Sequence, residues 1–194
     1  MLQAALGEGL LRSGLALGAV QRAVGVDAAP RPLLRSELAV AEPVFRGALS
    51  LDSVRIRPGV GGLFSLPLRV SAFVLGHTVF VLRRSAPAEG AALPDALLVH
   101  ELVHCWQYEH GGTRYIPRAL AAQAWGEGYD FVRACAAGRP WATLNPEQQA
   151  SLVAAGHAAG ALEGERPFVV AGRDLSGPLS EAIRALRAGR GAPA

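Results

Sequence analysis

At 194 residues and 20.2 kDa the chain has the size of one domain, and a hydrophobic content of 51% against 18% charged supplies a core and excludes wholesale disorder. All 19 basic residues are arginine and lie scattered from Arg12 to Arg190, so the net charge of +3 forms no basic stripe and argues against a nucleic-acid partner. Two cysteines, Cys105 and Cys135, are too few for a disulfide scaffold, and no run reaches the ~18 apolar residues of a membrane span. The longest candidate, Gly14 to Val20, is bounded by Arg12 and Arg22 and lacks a cleavage pattern. The expectation is a protein of a reducing compartment with no membrane span, cytoplasmic by default, with non-classical export as the route outward.

The first 25 or so residues carry Leu2, Leu6, Leu10, Leu17, Val20 and Val24 near helical spacing. Glycines at 7, 9, 14 and 18 each cost up to ~1 kcal/mol in a helix interior, so this helix needs a partner surface. Asp27 to Pro32 is a linker stiffened by two prolines, which divides the chain into an N-terminal helix and linker over 1–32 and a main domain over 33–194. Ser36 is the candidate cap of a second short helix that Pro43 disturbs. Val54 and Ile56 alternate with Arg55 and Arg57, a half-exposed strand stopped by Pro58-Gly59. Val70 to Leu75 and Thr78 to Leu82 flank Gly76-His77, a connection suited to a type II′ hairpin turn. Residues 85–93 read as a loop.

The remainder is helical in pattern. Pro94 and Asp95 open a helix running to His110, with Gly111-Gly112 as its stop. A second helix follows Pro117 to about Ala137, and Asn145-Pro146-Glu147 reads as cap and first turn of a third that reaches about Leu162. Phe168 to Val170 is a short extended piece, and Pro178 to Arg187 a last helix. The fold class is α+β: a small antiparallel sheet with a hairpin, then a helical half.

One motif carries chemistry. His100-Glu101-Leu102-Val103-His104 puts two imidazoles four residues apart, about 40° in rotation, on one face of an apolar helix. Two neutral nitrogens so placed can share one Zn²⁺, and Glu101 beside them can take a proton from a water. The bland alternative is a pair of core histidines satisfied by their neighbours. A third ligand has three candidates. His110 has the spacing of the HExxHxxGxxH class, but Gln107 replaces the glycine that would turn the chain back, so His110 points about 120° away. Glu127 lies on the second helix, and Glu147 opens the third, where Ala150 lets that helix approach closely. Gln107 lies near the metal face and is a candidate to orient a ligand. Tyr115, Tyr129 and His157 are candidates to bind substrate or stabilise an oxyanion, as are Tyr108 and His110. Trp106, Trp125, Trp141 and Cys105 read as packing residues.

The segment from Leu97 to Tyr108, with His100, Glu101, Leu102, His104 and Gln107, resembles the HELxHxxQ segment of a bacterial family of zinc-peptidase-like proteins of gluzincin type, largely uncharacterised. Val44 to Ile56 resembles that family's helix-to-strand entry, and Ala72 to Phe80 its strand before the metal helix, with His77 where asparagine is more usual. Asn145 to Ala150 resembles a further recurring element; the likeness covers about residues 40–165. It implies a zincin-like domain with one Zn²⁺ held by His100, His104 and Glu147, the last preferred over Glu127, and Glu101 as the catalytic base. It also implies that a peptide or protein substrate adds as a strand beside the cleft. The expected function is zinc-dependent peptide hydrolysis. The alternative is an inactive zincin-like scaffold that binds partners in a secretion or toxin-delivery assembly, docking through the N-terminal helix.

Overall fold

The hairpin that organises the sheet turns at Gly76, whose φ of +65° only glycine adopts without strain. In the computed structural model, which describes residues 2–23, 29–60, 70–125 and 128–193, β2 (Ala72–Leu75) pairs antiparallel with β3 (Thr78–Leu82). The sheet is not wholly antiparallel, however. β1 (Arg55–Val60) lies parallel to β3, giving the order β1-β3-β2. The hairpin's second strand is the inner one because Val79, Phe80, Val81 and Leu82 are buried on both faces, and an inner strand must be. β2 is consequently an edge.

β1 continues through Pro58-Gly59 instead of stopping there. Proline has no N–H to offer the ladder and Gly59 takes φ +73°, so the pairing slips between Arg57 and Val60 and then resumes. On the outer side of β1, Arg31 and Ile56 exchange backbone hydrogen bonds of 2.8 Å, tying residue 31 to the sheet.

Seven helices accompany the sheet among the described residues: α1 (Leu2–Ala23), α2 (Arg35–Phe45), α3 (Asp95–Gly111), α4 (Tyr115–Trp125), α5 (Phe131–Ala136), α6 (Pro146–Ala158) and α7 (Ser176–Arg187). The architecture is α+β. None of these helices is long and apolar enough to cross a membrane. α2 starts one residue before Ser36 and is capped by Glu37, which accepts from the Leu34 N–H at 2.8 Å. The single helix expected between Pro117 and Ala137 is two. Gly128 takes φ +55°, and Asp130 caps α5 by accepting from the Arg133 N–H at 2.9 Å. α6 stops at Ala158, before Leu162, because Gly160 turns left-handed at φ +65°. The extended piece at Val169–Val170 pairs with Arg173–Asp174 as β4 and β5, turned by Ala171 and Gly172, both at positive φ.

α3 is the axis of the core. Leu98, Val99, Leu102, Val103, Cys105 and Trp106 are fully buried, packed on α6 on one side and on the sheet on the other. The Trp106 indole donates to the Leu186 carbonyl at 3.1 Å, and Trp141 to Arg190 at 3.0 Å, so both rings anchor the C-terminal segment as well as fill space.

Glu37 is the buried charge on which this arrangement leans. Burial alone would raise its pKa, but hydrogen bonds from Arg31 and from the N–H groups of Leu34 and Leu93 hold it below the usual carboxylate value. Glu37→Ala leaves the Leu34 and Leu93 amides without their acceptor and removes the Arg31 ion pair, and should cost about 3 kcal/mol in urea-denaturation measurements. A loss under about 0.5 kcal/mol would mean that water replaces the carboxylate at no cost.

Candidate metal centre

His100 and His104 project from the same face of α3 because residues four apart differ by about 40°. Their rings meet edge to face with centroids 4.9 Å apart and Nε2 atoms 3.3 Å apart. α6 delivers the third group. Asn145 and Gln148 form a reciprocal capping box, with the Gln148 N–H donating to the Asn145 side chain at 2.9 Å and the Asn145 N–H to Gln148 at 3.1 Å. Pro146 fills the first helical position, which places Glu147 second. Ala150, one turn on and fully buried, lets α6 lie close against α3.

The Glu147 Oε2 thus lies 3.2 Å from His100 Nε2 and 3.6 Å from His104 Nε2, with Glu147 only 2% exposed. Four ligands at 2.0–2.1 Å around Zn²⁺ in a tetrahedron lie about 3.3–3.4 Å from one another. The three separations bracket that edge length. His100, His104 and Glu147 are the one cluster of potential metal-holding side chains among the described residues.

A relay of amides sets the orientation of His104. Gln149 donates its Nε2 to the carbonyls of Trp141 (2.9 Å) and Gly191 (2.8 Å), which leaves its Oε1 as an acceptor. The Gln107 Nε2 donates to that oxygen and to the Pro146 carbonyl, both at 3.0 Å. Its own Oε1, 2.8 Å from His104 Nδ1, therefore accepts a proton from the ring. Nδ1 carries hydrogen, so Nε2 is the nitrogen that faces Glu147 and His100 and the one whose lone pair is exposed once the ring is neutral. Gln107 and Gln149 are both fully buried. Gln107 is the orienting residue the sequence suggested; Gln149 was missed because a glutamine in a helix gives no sign of its partners.

Electrostatics point the same way. Burial opposes charge on His104, but Glu147, then Glu101 and the Gln107 hydrogen bond, outweigh it and raise the imidazole to about 9. Burial likewise opposes charge on Glu147, and the two histidines overcome it, holding the carboxyl far below its usual value. The three donors surround a position that calls for positive charge. Glu101, 4% exposed, differs: burial raises its pKa more than the histidines lower it, and its Oε2 has no hydrogen-bond partner among the described residues.

All four groups line one cavity of about 730 Å³. The edge strand β2, α4 and α1 all contribute to its lining. Tyr129, 46% exposed, stands at its mouth with its ring 5.9 Å from His100 and its hydroxyl bonded to Glu147. Tyr115 also lines the cavity and its ring stacks 6.1 Å from His104, but its hydroxyl donates to the Val74 carbonyl at 2.8 Å, fastening β2 to the centre and leaving no proton for substrate. His110 turns away, its Nε2 2.8 Å from the Ala48 carbonyl and its ring against Trp106. His157 is absent from the cavity lining, and Glu127 lies outside the described residues. Tyr108 meets His77 edge to face, and His77 in turn contacts Glu109 at 3.1 Å, a structural cluster apart from the cavity.

Comparison with known proteins finds no matching family model, no matching curated protein and no matching solved structure. The resemblance carried by the HELxHxxQ segment therefore stands on its residues, and the reading of the centre on its geometry.

In metal-free protein the Glu147–His104 pair bounds a pH window. The depressed Glu147 carboxyl stabilises the fold above its unfolded value of 4.5, an effect lost as pH falls. The raised His104 stabilises it fully below its unfolded value of 6.5, an effect lost as pH rises through about 9. The melting temperature of chelator-treated protein should thus be highest between about pH 4.5 and 6.5 and fall toward pH 9, and Glu147→Gln should flatten the alkaline limb. Scanning fluorimetry across the range checks both; an unchanged slope in the variant would break the pairing. Nitrogen-15 NMR should show His104 with hydrogen on Nδ1 in zinc-treated protein, and in Gln107→Leu that hydrogen, having lost its acceptor, should exchange faster with solvent.

Proposed function

We propose that the protein is a single-zinc hydrolase that cleaves peptide bonds. The observation that carries this reading is the convergence of three donors at tetrahedral edge lengths upon a cavity that also holds a buried carboxylate, Glu101, with a free oxygen. His100 Nε2, His104 Nε2 and Glu147 Oε2 would hold the ion. When bound, Zn²⁺ polarises a carbonyl and lowers the pKa of water.

The chain's own groups supply the proton traffic. Glu101 accepts a proton as water attacks the carbonyl carbon, and delivers it to the amine as the C–N bond breaks, leaving a carboxylate and an amine. Its raised pKa suits both halves of that task, since a carboxylate of ordinary acidity returns a proton reluctantly. Tyr129 lines the same cavity with its ring 5.9 Å from His100, and its hydroxyl has Glu147 as partner. β2 is the edge of its sheet and lines the cavity, so an extended peptide can add there as a further strand. That favours a peptide or protein over a compact substrate.

Glu101→Gln should abolish hydrolysis while zinc content stays near one per chain, because this carboxylate acts on water and not on the ion. His100→Ala, His104→Ala and Glu147→Ala should each cut zinc affinity by a factor of hundreds or more, measured by competition with a chromogenic chelator. Gln107→Leu should cut it about 10–100-fold by releasing the His104 ring. Full peptidase activity in Glu101→Gln would overturn the mechanism. Zinc uptake with no hydrolysis in wild type, across a broad peptide library, would favour the inactive partner-binding scaffold.

A further inference from the structure

The helix that precedes the region of family resemblance, α1, touches the body of the protein along one stripe. Gly7, Leu11 and Gly14 lie four and three residues apart, and Leu11 is 7% exposed. A Cβ on Gly7 would stand 2.0 Å from the Thr113 carbonyl oxygen, and one on Gly14 2.3 Å from Leu75 Cδ1. Thr113 also donates its hydroxyl to the Ala4 carbonyl at 3.2 Å. Glycine at these two positions costs helix stability, up to ~1 kcal/mol each, and in return brings the helix backbone directly against β2 and the turn that precedes α4.

That close approach has a consequence for the cavity. Leu10, Ser13 and Gly14 are part of its lining, together with Ala72 and Val74 of β2 and Ile116 of α4. Leu10 is 43% exposed and is among the residues that line the cavity, so its side chain is accessible to a ligand there. Among the described lining residues, charge is confined to His100, Glu101, His104 and Glu147. A charged ligand group away from the centre would find no counter-charge there and would have to shed its water uncompensated. The volume of about 730 Å³ leaves room for a large aromatic or branched side chain beside the four groups.

We propose that α1 completes an apolar subsite beside the metal centre and that Leu10 sets the size of the uncharged side chain it accepts. The identity of that side chain as part of a peptide rests on the hydrolase reading; the subsite itself does not. Its preferred substrates are then peptides with a bulky apolar residue next to the scissile bond.

The test uses the full chain. Metal-stripped protein is titrated with N-phenyl-1-naphthylamine, an uncharged fluorescent probe, and should show saturable binding of one probe per chain. Leu10→Arg should weaken that binding at least about tenfold, since it sets an unpaired charge on the wall, while the melting temperature stays near wild type because Leu10 is not a core residue. Gly7→Leu, which wedges α1 off Thr113, should weaken it similarly. Gly9→Ala should leave it unchanged, since a Cβ there meets nothing within 4 Å. In zinc-loaded protein, kcat/KM for matched peptides should favour phenylalanine over alanine beside the cleaved bond, and Leu10→Trp should shrink that ratio. Absent probe binding in wild type, or binding indifferent to both Leu10→Arg and Gly7→Leu, would overturn the proposal. Probe binding that follows α1 with no hydrolysis of any peptide would support the subsite and overturn the hydrolase reading instead.

Discussion

Two helices carrying opposite halves of a charge cluster must lie close enough for their side chains to meet, and the contact between α3 and α6 is the constraint from which the rest of this structure follows. Neither half is stable alone. Glu147 is 2% exposed and would be driven to accept a proton were the histidines absent, just as His104 would be driven to lose one were Glu147 absent. Small residues in α6, above all Ala150, permit the approach, and the capping box at Asn145 and Gln148 determines which residue of the first turn arrives. Moving the start of α6 by one residue would rotate Glu147 by about 100° out of the cluster.

The centre is connected to distant parts of the chain by hydrogen bonds that leave little latitude. His104 is held by Gln107, Gln107 by Gln149 and the Pro146 carbonyl, and Gln149 by the carbonyls of Trp141 and Gly191. Each amide has its donors committed, so its oxygen can serve only as an acceptor and the direction of the whole relay is set. The C-terminal segment thereby becomes part of the site's support, an arrangement reinforced by Trp106 and Trp141, whose indoles donate to Leu186 and Arg190. A polar core of this kind specifies one arrangement, since any slip leaves buried amides without partners.

Chemical roles divide according to environment. The same burial that His104 and Glu147 overcome through mutual attraction prevails at Glu101, where one oxygen has no partner among the described residues. Two carboxylates lining one cavity are thus pushed in opposite directions, one toward permanent charge and one toward proton exchange, a division that suits a ligand and a base respectively. The position of β2 follows from a different pressure. Because β3 is the strand buried on both faces, β2 is displaced to the edge, and Tyr115 ties that edge to the centre through the Val74 carbonyl.

The local signals in the sequence were short-range and held. Residues four apart on an apolar helix share a face whatever surrounds them, so the placement of His100 and His104 was legible from HExxH alone; so was the opening of α6 from Asn145-Pro146, and the hairpin from Gly76-His77. Elements broke or ended differently only where a glycine turned left-handed, as at Gly128 and Gly160, or where pairing elsewhere outweighed a local stop, as at Pro58-Gly59. What joins residues far apart in the chain had no local trace. That Glu147 and not another of the candidates meets the two histidines, that Gln149 directs Gln107, that β1 lies parallel to β3, and that Leu10 borders the same cavity as Glu101 were decided only by tertiary structure. The physical reason is one of range: dihedral preference and capping act within a turn or two, whereas the meeting of α3 with α6, or of α1 with β2, depends on which apolar faces bury each other and which polar atoms are satisfied when they do.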